Sequence, residues 1–326
     1  MSTANLVPET WQLKGDDAKR TFQHTDRKEL LKDSFVRLRA SDGFSHARSM
    51  AFLLVLVFVQ AVIGAVGIAS ALGKGGLSDA IVKTLQSVVP GPAGRVLTDA
   101  VQHAHRAGGS GQWIAILFGT VGAVVTGTTL MGQIERAMNR VYGIEKDRDT
   151  LEKYGRAFLL TLTAGSLSVL AFASLGLGGA IANSFGSSTT ATIWNVVRWP
   201  IGIALLIAAT ALVMRWAPRR RQPAWSWLSM GAFVAVGLLA LVTLALNLFF
   251  DYSSTFGTTY GPLAGIIALA FWAFFSSAAM LGGTALSAQL EAVRAGVAEP
   301  RSTRKVTESE PRGEAGVDLP VARQAS

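Results

Sequence analysis

Six long stretches of this chain hold almost no ionisable side chain, which excludes an ordinary water-soluble core. They cover about 51–72, 113–131, 158–182, 193–214, 227–250 and 262–286. A helix needs about 20 apolar residues to cross a ~30 Å hydrocarbon layer, and each stretch is close to that length. Five contain no ionisable group; the fourth contains Arg198 near its start, beside Trp199 and Pro200, where a long cation can reach the headgroups. Soluble helices rarely stay apolar on all faces for so long. Only 16% of the 326 residues are charged, against the ~25% usual in soluble domains. The expected fold is all-α: a polytopic membrane helix bundle with six transmembrane helices spread over residues 50–290.

The basic residues set the orientation. Residues 1–50, 132–157, 215–226 and 287–326 carry 25 of the 30 Lys and Arg, and the alternate connections carry five. Positive charge stays on the cytoplasmic side, so both termini are expected in the cytoplasm, as an even number of spans requires. The net charge of +9 is then a topology signal, and no nucleic-acid partner is implied. A cleavable leader is not expected: the first apolar run begins only at Met50 and exceeds the roughly 7–15 residue core of such signals.

Outside the spans, residues 1–25 are polar and aperiodic, and disorder is expected there. Residues 26–49 read as an amphipathic juxtamembrane helix, since Leu30, Leu31, Phe35 and Leu38 recur at helical spacing. Lying on the membrane and packing as a soluble helix on the loops both suit it. Two short amphipathic helices are expected in the first outer loop (77–105), split at Pro90-Gly91-Pro92. Residues 291–326 read as a mostly disordered tail.

Lipid supplies no hydrophobic drive for helix association, so small residues at every fourth position mark close contacts. Ala61, Ala65 and Ala69 form such a stripe in span one, Gly119, Ala123 and Gly127 in span two, and Ala279, Gly283 and Ser287 in span six. Gln60, Thr126, Asn247 and Ser276 are uncharged hydrogen-bonders of the kind that glue helices or line a passage. Pairs such as Glu135–Arg136 and Arg140–Glu145 are expected at the cytoplasmic surface.

Several chemistries have no residues to carry them. With no cysteine there is no thiol nucleophile or thiolate metal site. His103 and His105 stand two apart, on different helix faces, and His24 and His46 lie across the membrane from them. Gly67 to Gly73-Lys74 has the wrong glycine spacing for a phosphate loop. No intramembrane carboxylate pair is available for acid–base work or ion coupling. No cofactor, metal or catalytic residue is expected, and the chain does not read as an enzyme.

Two segments carry a family resemblance. Ala137-Met138-Asn139-Arg140-Val141-Tyr142-Gly143-Ile144 resembles the "ALNRxYG" element of the YihY/BrkB family of bacterial inner-membrane proteins. Tyr260-Gly261-Pro262-Leu263-Ala264-Gly265, Trp272 and Leu281-Gly282-Gly283 through Gln289-Leu290-Glu291 resemble its closing helix, and Val89-Pro90-Gly91 its outer loop. The chain departs from the family at Gln60, where a proline is common. It departs again at Gly283-Thr284-Ala285-Leu286-Ser287, where the family's Gly-Ala-Glu-Leu-Asn would supply a carboxylate and an asparagine. The resemblance is to a divergent member.

The resemblance implies an all-helical protein of the cell inner membrane linked to envelope integrity and to export of lipids or small molecules. The family's old ribonuclease label finds no metal motif or basic aromatic groove here. The leading expectation is a transporter of a lipid-like or amphipathic envelope molecule without its own ATPase. The alternatives are a non-transporting scaffold and, more remotely, an intramembrane enzyme. The partners in view are membrane lipids, such a substrate, and a second copy or an envelope protein. Candidate functional residues are Asn139, Arg140, Tyr142 and Gly143 after span two, with Gly261, Pro262, Trp272 and Gly283 in or before span six. A helix end capped at Gly143, with Asn139 and Arg140 on the last carbonyls, fits the first four equally well.

Overall fold

A computed structural model describes residues 3–71, 110–183, 188–253 and 263–301, and these fold into eight helices. Two are short: α1 (Gly15–His24) and α2 (Arg27–Ala40). Six are long: α3 (Gly43–Ala71), α4 (Ser110–Val141), α5 (Thr150–Asn183), α6 (Ser188–Trp216), α7 (Trp225–Tyr252) and α8 (Leu263–Arg294). Each of the six is long and apolar enough to cross a membrane. The apolar runs fix the spans, but several helices continue beyond them. Thus α3 begins at Gly43, α4 continues to Val141 and α8 to Arg294, carrying polar side chains out of the bilayer level.

The six spans close into a ring: each packs on its chain neighbours, and α8 returns onto α3. The first and last described segments meet at one end of this ring, where Ala4 and Arg301 form an antiparallel bridge. Gly119 in α4 meets Gly64 in α3 so closely that a Cβ there would come 2.3 Å from the Gly64 nitrogen. A close face of span one is therefore Gln60–Gly64, next to the expected alanine stripe. Gly283 in α8 meets Gly231 and Ala235 in α7 in the same way, with 2.5 Å from a built Cβ to the Gly231 carbonyl.

Three boundaries need correction. The segment expected to be disordered, 1–25, is ordered over its described part. Asp17 bonds back to the Lys14 N–H to start α1, and Gly15 N–H donates to Ser226 Oγ at 2.9 Å. Val7 is buried and its N–H donates to the Tyr142 carbonyl. What orders this polar strand is the bundle surface beneath it, which no local composition reveals.

The juxtamembrane helix 26–49 is in fact two pieces. α2, capped by Asp26, ends at Ala40, and a left-handed residue, Asp42, turns the chain into α3. α2 packs on α8, burying Leu30, Ser34, Arg37 and Leu38 while Leu31 and Phe35 stay exposed. The tail also starts later than expected, since Glu291 is fully buried inside α8.

The buried core is uneven. Its main cluster fills the half nearest the termini, around Met50, Met138, Met214, Trp227, Leu281 and Leu290. The far half holds a smaller cluster of Val62, Phe250, Ala268, Leu269 and Trp272.

Candidate functional site

At the end of α4 the chain makes a Schellman cap. Gly143 is left-handed (φ +76°), its N–H donates to the Arg140 carbonyl, and the Ile144 N–H reaches back to Asn139 at 2.8 Å. A side chain at 143 would also strike the main chain of Asn5 and Leu6 at 2.7 Å. Glycine is thus required twice there, by conformation and by the N-terminal segment crossing it. The chain then loops to Asp149 and enters α5.

Asn139 is fully buried and acts as a cross-tie rather than a cap. Its amide donates to Asp147 Oδ1 (3.1 Å) and its carbonyl oxygen accepts the Arg219 N–H (2.8 Å), joining the α4–α5 and α6–α7 turns. Arg140 does serve carbonyls, those of Ile144 and Glu145 just past the helix end. Asp147 gathers Arg136 (3.1 Å), Lys153 (3.6 Å) and Arg140 (3.8 Å). Partial burial raises its pKa, but the Asn139 bond and these cations outweigh that and hold the carboxyl below its ordinary value.

Tyr142 leads into the centre of the site. Its ring lies under the Arg220 guanidinium, 4.4 Å from the ring centroid, and its hydroxyl faces Glu291 Oε1 at 3.4 Å. Glu291 Oε2 accepts from Arg220 Nη2 and from the Thr10 hydroxyl, both at 2.8 Å. Burial, then the Glu291 charge, pushes the phenol above its ordinary value while Arg220 opposes them, so Tyr142 stays a neutral donor.

Beside this triad Arg37 is fully buried. Its Nε donates to Gln289 Oε1 (2.8 Å) and its Nη1 to the carbonyls of Asn5 (2.9 Å) and Val141 (3.3 Å). Burial lowers its pKa to about 10, with Tyr142, Asp33 and Glu291 holding it up. It remains a cation at neutral pH. A second buried pair, Glu135 with Arg148 at 3.1 Å, ties α4 to the α4–α5 turn.

The expectation for Glu135 is therefore corrected, while Arg136 is exposed as expected. Glu135 is buried on Arg148, and Arg136 pairs with Asp147, because Glu135 faces the bundle while Arg136 faces out.

Of the remaining candidates, Trp272 lies elsewhere, in the far half. It is buried, edge-on to Phe58 (centroids 5.7 Å apart), and donates to Thr243 Oγ1 at 3.2 Å. Gly283 marks the α7–α8 crossing described above. Gly261, Pro262 and the outer-loop helices expected at 77–105 lie outside the described residues, as do His103 and His105. Asn139, Arg140, Tyr142 and Gly143 are brought together; Trp272 and Gly283 do not join them. Glu291, Arg220, Arg37, Gln289 and Thr10 were not singled out from sequence. A visible signal was Gln289-Leu290-Glu291 at the foot of an otherwise apolar helix.

Chemically the site is a polar lock. It ties the described N-terminal segment, α2, the foot of α8 and two inter-span turns to one another. Among the described residues no group of His, Asp or Glu could hold a metal ion.

The family is decided by extent: residues 34–308 match Virulence factor BrkB. The chain belongs to the BrkB family. Among relatives, it is 24% identical to the ribonuclease-like protein YfkH of Bacillus subtilis (strain 168), over 80% of this chain and 94% of that protein. It is 29% identical to a UPF0761 membrane protein of Verminephrobacter eiseniae (strain EF01-2), over 80% of this chain and 62% of that protein. A similar protein of Azoarcus sp. (strain BH72) is 26% identical over 76% of this chain and 59% of its own length. The BrkB-family chain thus spans nearly all of the Bacillus protein but only about three fifths of the other two. No solved structure matches it. The polar lock lies wholly within the matched region apart from Asn5 and Thr10.

Proposed function

We propose that this BrkB-family protein sits in the bacterial inner membrane with both termini cytoplasmic, and moves a lipid-like or amphipathic envelope molecule without an ATPase of its own. The observation carrying this is the two-part interior. The ion pairs among the described residues cluster at the end bearing the termini. The far half keeps half-buried, uncharged hydrogen-bonders such as Gln60, Thr243 and Asn247 around a smaller apolar core. Gln60 Oε1 has no partner there. A basic end crowded with ion pairs and a far half whose polar groups are mostly uncharged, Arg198 apart, suit a solute with an apolar body and a polar head. The basic connections favour placing the basic end in the cytoplasm.

The test is reconstitution into liposomes with a panel of labelled envelope lipids and amphiphiles. Wild-type protein should speed transbilayer movement or efflux of at least one, and W272A or T243V should slow it several-fold without loss of folded protein. Rates equal to empty vesicles across the panel would remove the transport function.

A scaffold that holds envelope proteins is the second reading. The outward apolar side chains of the N-terminal segment, Leu6 and Trp11, favour it. Site-specific cross-linking from position 11 that captures one defined protein partner, with no transport in liposomes, would establish it.

A further inference from the structure

A basic pocket of about 350 Å³ opens where α6 gives way to α7, beside the polar lock. Arg148, Arg156, Arg215, Arg220 and Arg221 line it, with Trp11 and Trp216 at its edges, and no carboxylate belongs to the lining. We propose that it is an anion site that takes a phosphate group, supplied by the headgroup of an anionic phospholipid or by a free phosphate.

Charge comes first. Glu135 and Glu152 pair with Arg148, Glu152 also with Arg156, and Glu291 with Arg220. Three carboxylates behind the wall thus face five guanidinia. Glu9 approaches as well, but onto the Arg221 main-chain N–H. The Arg221 side chain is exposed and enters no ion pair among the described residues.

The wall is also built rather than assembled from loose surface side chains. Arg148 is fixed by the carbonyls of Ala217 (2.6 Å) and Pro218 (2.7 Å), and Arg215 by those of Gln222 and Pro223. The Arg220 side chain is 2% exposed, yet its Nε and Nη1 have no hydrogen-bond partner. Gln222, 4% exposed and also in the lining, holds its amide near the Tyr142 hydroxyl, with Nε2 a further donor at the wall. Buried donors left open in this way cost free energy unless something fills them, and a phosphate oxygen accepts from several at once.

Position selects the ligand class. The pocket lies at the end of the bundle, where α6 ends at Trp216 and α7 begins at Trp225. Trp11, Trp216 and Trp225 are each about half exposed, as side chains at headgroup depth are. Basic pockets between spans at this level suit anionic headgroups.

Full-length protein in mild detergent is titrated with short-chain phosphatidylglycerol, short-chain phosphatidylcholine and inorganic phosphate, reading the thermal unfolding midpoint and, by native mass spectrometry, bound lipid. Variants R221Q and R156Q remove pocket charge at exposed or half-exposed positions, and R39Q removes an exposed arginine elsewhere. Saturable binding of phosphatidylglycerol but not phosphatidylcholine, weakened about tenfold or more by R221Q or R156Q and unchanged by R39Q, establishes a headgroup site. Binding of inorganic phosphate alone, with the same variant pattern, establishes a free-phosphate site. The proposal is overturned if neither ligand binds, or if both pocket variants bind like wild type. It does not depend on transport: a protein that binds phosphate yet moves no lipid fails only the transport proposal.

Discussion

Arg220 Nη2 stands 2.8 Å from Glu291 Oε2, and both side chains are all but removed from solvent, at 2% and 0% exposed. One residue comes from the turn after the fourth span and the other from the last turns of the sixth. The pair therefore joins segments 71 residues apart. Burying two charges is costly, and it is offset here by hydrogen bonds from Thr10 and Tyr142 to the carboxylate, by the Pro8 carbonyl on Arg220 Nη2 and by the Tyr142 ring facing the guanidinium.

Removing one partner should therefore be worse than removing both. E291Q leaves a buried guanidinium without its counter-charge and should destabilise the protein by about 3–5 kcal/mol. The double variant R220M/E291L, of similar volume, should recover much of that loss. Thermal unfolding in detergent measures both, and equal midpoints for the single and double variants would contradict the arrangement.

Asn139 predicts a different pattern. N139A strands the Arg219 N–H and one Asp147 oxygen and should cost about 1–3 kcal/mol. N139D should cost at least as much, because a carboxylate would then face Asp147 directly. If Asn139 only capped α4, N139A would leave the Asp147 carboxyl where it titrates in wild type, whereas the cross-tie requires that value to rise.

Asp147 makes stability depend on pH at the acid end. Its carboxyl is held below the ordinary aspartate value, so its ionised form is favoured in the folded protein. That stabilisation is full above the unfolded pKa of about 3.9 and is lost as pH falls through the folded value. The gap in unfolding midpoint between wild type and D147N should be constant from pH 7 to about 5 and close below it. A gap that widens on acidification would reverse the sign.

The glycines separate by what surrounds them. G119A and G283A place a Cβ within 2.3–2.5 Å of backbone on a neighbouring span. Each should destabilise the bundle by about 1–3 kcal/mol through forced separation of helices. Gly165 and Gly237 have open space around them, so G165A and G237A should be neutral or gain up to about 1 kcal/mol from helix propensity. Unfolding midpoints of the four variants, measured side by side, check the ordering.

The last prediction concerns the N-terminal strand. Deleting residues 2–14 removes the Thr10 bond to Glu291 and the Asn5 carbonyl on Arg37. It should lower the unfolding midpoint and raise proteolysis of the turns at 142–149 and 217–224. A truncated protein as stable as the full chain would show that the strand merely rests on the surface.

The site was only half legible. Asn139, Arg140, Tyr142 and Gly143 form one continuous motif, and a local cap such as Gly143 announces itself through neighbouring residues. Thr10, Arg37, Arg220 and Glu291 lie up to 281 residues apart, on segments that look like ordinary polar flanks. Nothing local distinguishes a buried glutamate at a helix foot from a solvated one.

Read alone, the sequence was enough to mark six helices able to cross a bilayer, and its basic asymmetry raised the expectation that the termini share one side. Apolar length and basic asymmetry respond to the solvent, and the solvent acts on each segment separately. Which flanking charges are buried together, that the N-terminal segment is a strap, and that Gly64 receives Gly119 of the second span came only from the folded structure. Those outcomes depend on which helix faces meet around a closed ring, and pairing between distant surfaces leaves no periodicity in any one of them.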